Sequence, residues 1–122
     1  MKIYRCKHCG NIVTLLTEKG GKLSCCNEEM ELLNANTVDA SSEKHVPVVE
    51  KEGNIVNVKI GAVAHPMLLE HHIEWIILET NLRTMIAHLK VNEEPKASFI
   101  LLDGEEVKAC YEYCNLHSLW KK

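Results

Sequence analysis

The sequence has no long apolar run. The longest are four residues, Trp75-Ile76-Ile77-Leu78 and Phe99-Ile100-Leu101-Leu102, against the roughly 20 needed to cross a bilayer. No membrane span is expected. No apolar stretch of signal-peptide length follows the opening Met1-Lys2-Ile3-Tyr4-Arg5-Cys6, so the expected compartment is the cytoplasm. An excess of positive charge is also missing: 14 Lys and Arg face 17 Asp and Glu, for a net charge of −3. A global basic field for nucleic acid is therefore absent. Glycine and proline are sparse, at six and three residues, and there is no internal repeat or low-complexity tract. With 46% hydrophobic and 25% charged residues, disorder, collagen and coiled coil are excluded as descriptions of the whole chain. Aromatic side chains number only six, whereas there are six Cys and seven His. In a cytoplasmic chain, where thiols stay reduced, that excess points to metal or redox chemistry before disulfides.

A chain of 122 residues buries about two-thirds of its unfolded surface, enough for one core. Composition changes near residue 36. Residues 1–36 hold four of the six Cys and the Gly20-Gly21 pair, and residues 37–44 are polar and read as a linker. The division expected is 1–36 and 37–122. In the first part, apolar runs at 11–16 and 22–24 joined through Gly20-Gly21 predict a hairpin. So short a piece cannot build a sufficient core and needs a metal or disulfide staple.

The second part reads as all-β and antiparallel. Residues 46–50 and 54–60 flank a turn at Lys51-Glu52-Gly53. Val56, Val58 and Ile60 share one face, with Asn57 and Lys59 on the other, a period of two. Strands are expected over 74–80 and 84–91. Runs at 96–102 and 106–113 flank Asp103-Gly104, which predicts a hairpin. Strands at this spacing suggest a sandwich. No long helix is expected.

Two constellations carry chemistry. Cys6-Lys7-His8-Cys9 is a C-x-x-C knuckle followed by Gly10, and Cys25-Cys26 comes later. Four thiolates suit iron or zinc in a tetrahedral site. The adjacent pair is unusual, because an ordinary zinc ribbon uses two C-x-x-C pairs, and it predicts a distorted tetrahedron. A purely structural zinc staple fits the same spacing. His8 reads as an exposed loop residue.

The second constellation lies among His45, His65, His71, His72, His88, Cys114 and His117. His65 and His71 are six apart with Pro66 between, which favours a loop folding around an ion over a helix face. Cys114-Asn115-Leu116-His117 is a C-x-x-H turn. These stretches fall at expected strand ends, and one end of a sandwich can gather them. Imidazoles with one thiolate suit iron, copper or zinc. His88, mid-strand, and His72 read as ordinary surface or core residues.

Taken together, Cys6-x-x-Cys9 with Cys25-Cys26, Glu43-Lys44-His45-Val46-Pro47, His65-Pro66-Met67, His71 before Ile73-Glu74-Trp75-Ile76, and Cys114-Asn115-Leu116-His117 with Leu119-Trp120 resemble the desulfoferrodoxins, two-iron superoxide reductases. The resemblance runs in order over nearly the whole chain. It implies a small desulforedoxin-like N-terminal domain with an Fe(Cys)4 centre on Cys6, Cys9, Cys25 and Cys26. It implies an immunoglobulin-like antiparallel β-sandwich with an Fe(His)4Cys centre. There His45, His65, His71 and His117 would be equatorial and Cys114 axial. It further implies one-electron, inner-sphere reduction of superoxide to hydrogen peroxide, with an external donor such as rubredoxin restoring the ferrous state. The glutamate matching Glu43 would take the open position after oxidation, and the lysine matching Lys44 would attract the anion. A homodimer is implied as well, since the small N-terminal piece alone would leave apolar surface uncovered.

Two positions depart from the family pattern. Ser118 stands where the family commonly has glycine, and it is strained if that backbone needs a positive φ. His72 stands where an aromatic is common. Trp75 and Trp120 are expected in the core, as is Cys110, which matches no ligand. Two other functions remain compatible with the residues alone: an iron electron-transfer protein without superoxide turnover, and a zinc-stapled β-sandwich acting as a binding module.

Overall fold

The computed structural model describes all residues, 1–122. The chain forms two compact units, Met1–Asn34 and Ala35–Lys122. Both are built almost wholly of antiparallel strands, in agreement with the expected all-β class.

The first unit contains β1 (Ile3–Arg5), β2 (Ile12–Thr14), β3 (Ser24–Cys25), β4 (Glu28–Glu29) and β5 (Glu31–Leu32). The strands are ordered β2-β1-β5, with β3-β4 as a separate pair. The hairpin expected through Gly20-Gly21 does not form. The C-x-x-C knuckle reverses the chain first: Cys6 N–H donates to Asn11 C=O at 2.9 Å and Gly10 N–H to Cys6 C=O at 3.1 Å, with Gly10 at φ +81°. That turn lays β2 directly on β1, with Tyr4 opposite Val13. Gly20-Gly21 merely closes a loop. Only Ile3, Cys6 and Met30 of this unit are buried apolar residues. A core that small supports the need for a staple.

The second unit begins with a single helical turn, α1 (Ser42–His45), in the stretch expected to be linker. Val46 N–H closes it on Ser42 C=O at 3.0 Å. Then come β6 (Pro47–Glu52), β7 (Ile55–Ile60), β8 (Ile73–Thr80), β9 (Thr84–His88), β10 (Lys96–Ile100), β11 (Val107–Cys114) and β12 (Ser118–Lys121). They form two sheets, β10-β7-β6 and β12-β11-β8-β9. Seven strands split three and four make an immunoglobulin-like sandwich. Val56, Val58 and Ile60 face Ile73, Ile76, Leu78, Cys110 and Cys114 across the core. Each buried aliphatic side chain contributes about 1.5–3 kcal/mol. On β7, Ile55, Asn57 and Lys59 alternate outward, as the period of two requires.

Three local expectations are corrected. The β6–β7 turn is Gly53-Asn54, because Glu52 still pairs with Ile55. The strand expected over 84–91 stops at His88. Asp103-Gly104 does not join a hairpin: β10 pairs with β7 and β11 with β8, so the turn carries the chain from one sheet to the other. Glu105 explains that crossing. Its buried carboxylate accepts from Leu102 N–H at 2.8 Å, from Thr80 Oγ1 at 2.7 Å and from Arg83 Nε at 2.9 Å. Arg83 holds it down to about 2, so it is ionised and fixes the corner with charge-assisted bonds.

Candidate metal centres

In the first unit the four expected cysteines converge. All four sulfurs lie within 4.8 Å of one another. Cys9 Sγ is 3.6 Å from Cys25 Sγ, and Cys25 Sγ is 4.0 Å from Cys26 Sγ. A tetrahedron with metal–sulfur bonds of about 2.3 Å has edges of about 3.8 Å, so the cluster is the right size for one ion. The adjacent pair reaches one point because Cys26 turns to φ +53° and Asn27 to φ +61°. Backbone N–H groups of His8 and Cys9 both donate to Cys6 Sγ at 3.4 Å. These donors, Cys9 first, pull Cys6 down to about 6, while the neighbouring thiols Cys9 and Cys6 push Cys25 up to about 12. Four sulfurs so close cannot all ionise without a cation between them. His8 is outside the cluster, exposed and paired with the Glu28 carboxylate.

The second cluster is His45, His65, His71, Cys114 and His117. Strand direction assembles it. α1 leads into β6, the His65–His71 loop joins β7 to β8, and Cys114 ends β11 just before β12. In antiparallel sheets these points fall at one end of the sandwich. Met67, buried between the two loop histidines, anchors that loop in the core and accepts from Ile73 N–H through its sulfur at 3.4 Å.

The four rings form a square. Neighbouring centroids are 4.7 Å apart for His45–His65, 4.5 Å for His65–His71, 5.0 Å for His71–His117 and 4.9 Å for His45–His117. The His45–His71 diagonal is 6.4 Å. Adjacent rings are nearly perpendicular, at 71° to 84°. Facing nitrogens are 3.2 Å apart for His45 Nε2 and His65 Nε2, and 3.0 Å for His117 Nδ1 and His45 Nε2. Bonds of about 2.1 Å at right angles would set them about 3.0 Å apart. The arrangement is therefore square and not tetrahedral. Cys114 Sγ approaches His65 Nε2 at 3.5 Å and His117 Nδ1 at 3.8 Å.

The protonation states point the same way. His45 Nδ1–H donates to Ser41 C=O at 2.7 Å and His65 Nδ1–H to Pro66 C=O at 2.6 Å. A carbonyl can only accept, so each Nδ1 carries a proton. Burial lowers both rings, His65 to about 4, so both are neutral at pH 7 and their Nε2 atoms are bare. Two lone pairs then face each other in the interior. His71 Nε2 is also buried without a hydrogen-bond partner. Bare donors pointed at a common centre are what a cation requires. Burial raises the Cys114 thiol, while the N–H groups of His117 and Leu116 oppose that rise.

Other residues fall outside the cluster. Glu43 and Lys44 are exposed on α1. The Lys44 charge helps to lower His45 and His71, though less than burial does. His72 turns away and donates to Leu68 C=O at 3.0 Å. His88 is exposed, and Cys110 is a core thiol pushed up to about 12 by burial. Ser118 is at φ +64°, the strained case. Trp120 belongs to the core as expected, but it also stacks on His45 at 4.7 Å and donates from Nε1 to His117 C=O at 3.0 Å. Its place three residues after His117 was the available signal. Glu112 gave no sequence signal: it is fully buried, and desolvation pushes it up to about 9.

The family model described as desulfoferrodoxin matches residues 37–122, and that described as desulfoferrodoxin, N-terminal domain, matches residues 1–33. The chain is 49% identical over 121 residues to a desulfoferrodoxin of Syntrophotalea carbinolica, covering 98% of this chain and 94% of that one. The crystal structure of the superoxide reductase from Treponema pallidum superposes with a TM-score of 0.83 at 35% identity, covering 100% of this chain and 99% of that one. The superoxide reductase (1Fe-SOR) from Giardia intestinalis superposes at 0.57 with 34% identity, over 66% of this chain and 95% of its own.

Proposed function

This chain belongs to the desulfoferrodoxin family, and on that premise we propose that it is a superoxide reductase with two iron centres. The reaction takes one superoxide, one electron and two protons to one hydrogen peroxide. The observation that carries this reading is the square of four imidazoles with a thiol against it at one end of the sandwich. Iron held there would supply a single electron at a time, to be replaced by an external donor.

The assignment of residues follows. Residues 1–36 form the Fe(Cys)4 domain through Cys6, Cys9, Cys25 and Cys26, and residues 37–122 the catalytic sandwich. His45, His65, His71 and His117 present ring nitrogens. Burial keeps the first three unprotonated. Cys114 would give its thiolate to the metal: burial raises the thiol, and the N–H groups of His117 and Leu116 oppose that rise. Exposed Lys44 supplies the positive charge that draws a small anion to a chain of net charge −3. Glu43, its neighbour on α1, is the carboxylate that would be offered to the metal in its oxidised state. The donor is rubredoxin or a similar small redox protein. The protein works in electron transport in the cytoplasm, as a homodimer.

The deciding experiment replaces Cys114 with Ser and measures superoxide reduction by pulse radiolysis. Activity is expected to vanish while the visible bands of the N-terminal centre persist. Unchanged turnover would remove Cys114 from the reaction, and a wild-type protein that turns over no superoxide would leave electron relay as the function.

A further inference from the structure

The four imidazoles are not held alike. His45 and His65 are fixed by ring hydrogen bonds to Ser41 and Pro66. His71 is half-buried on the loop between β7 and β8, and it is held through its backbone. Leu68 and His71 exchange both backbone hydrogen bonds, at 2.9 and 3.1 Å. The peptide groups on either side of His71 are taken by one residue. Asn115 Nδ2 donates to Glu70 C=O at 3.1 Å. Asn115 Oδ1 accepts from His72 N–H at 2.9 Å. Asn115 N–H donates to His72 C=O at 3.1 Å.

Asn115 directly follows Cys114, the thiol of the cluster. The residue beside the sulfur therefore clamps the loop that carries a half-buried histidine. An amide side chain suits this position because one end accepts while the other donates. Aspartate would keep the acceptor, lose the donor, and set a charge against the Glu70 carbonyl. Alanine would lose both side-chain contacts and keep the backbone one.

We propose that Asn115 is a positioning residue of the catalytic centre, locking His71 in register with the Cys114–His117 turn. This rests on the reading of His71 and Cys114 as ligands. Outer partners of metal ligands commonly govern affinity by about 10- to 100-fold. A partly exposed ring released from its clamp can swing away without disturbing the sandwich core.

The test uses the iron-loaded full chain and a ferrous chelator, following iron loss from each centre by its own visible bands. Asn115→Ala, His71→Ala and the double variant complete a cycle. Asn115→Ala is expected to speed loss from the catalytic centre by about 10- to 100-fold and to leave the four-thiolate centre at its wild-type rate. His71→Ala is expected to do the same, and the double variant to be no faster than His71→Ala alone. A wild-type rate in Asn115→Ala beside a fast His71→Ala overturns the role of Asn115 and leaves the ligand reading intact. Additive losses overturn it too, because Asn115 would then support the fold at large. A wild-type rate in His71→Ala overturns the ligand reading and the proposal with it. Should Asn115→Ala fail to fold, Asn115→Asp takes its place in the same cycle, judged by the same results.

Discussion

Ser118 pays for the geometry of its neighbour. It sits at φ +64° directly after His117, where a side chain with a Cβ costs roughly 1–2 kcal/mol. Ser118→Gly is expected to raise stability by about 0.5–1 kcal/mol, the relief of that strain less the greater chain entropy of glycine. The check is the denaturant midpoint at constant slope. A lower midpoint would mean that the hydroxyl has a packing role. Lys44 is exposed on α1, and its proposed role is through charge alone. Lys44→Ala is expected to slow the bimolecular reaction roughly tenfold at low salt and to flatten its dependence on ionic strength. An unaltered salt slope would contradict steering. At this scale the ligand types were legible, since thiols and imidazoles at knuckle and loop spacings have few other uses. The clamp on His71 was not: Asn115 reaches Glu70 across 45 residues of sequence, and no spacing rule links them.

Among the elements, α1 places the most chemistry in the fewest residues, and Gly61 holds it in place. Gly61 N–H donates to Val46 C=O and Val63 N–H to Glu43 C=O, both at 3.3 Å. A Cβ on Gly61 would lie 2.7 Å from the Lys44 carbonyl oxygen and 2.3 Å from that of Val63. Both obstacles are backbone, so the α1 turn would have to move and take His45 with it. Gly53 also has a positive φ but opens onto free space. Gly53→Ala therefore reports strain alone, about 1 kcal/mol. Gly61→Ala is expected to cost more and to shift the visible bands of the catalytic centre, which Gly53→Ala leaves alone. Identical spectra in the two variants would show that α1 is not held this way. Strands with clear alternation, such as β7, could be read directly. The turns misled. Asp103-Gly104 has hairpin chemistry, yet the buried Glu105–Arg83 pair directs the chain to the other sheet. Gly20-Gly21 lost its hairpin to the knuckle, which reverses the chain earlier.

For the molecule as a whole, the two units differ in what keeps them folded. Residues 1–34 bury three apolar side chains, whereas the sandwich has a continuous two-sheet core. In the small unit the free energy of metal binding is therefore folding free energy. Stripping iron from the whole protein is expected to abolish amide protection in β1, β2 and β5 while β7, β8 and β11 stay protected. Hydrogen exchange before and after chelation measures this, and retained protection at Tyr4 and Val13 would mean that the unit folds without its metal.

The sequence by itself determined the all-β class, the two groups of ligands and the family. These depend on residue type, on short spacings and on the period of two, all local properties of the chain. Only the tertiary structure decided that the imidazoles stand in a square, which nitrogen of each ring turns inward, and what holds His71. Those features arise where four separate chain segments meet at one end of the sandwich. The partners there are backbone carbonyls and an asparagine amide, brought together by strand direction and core packing.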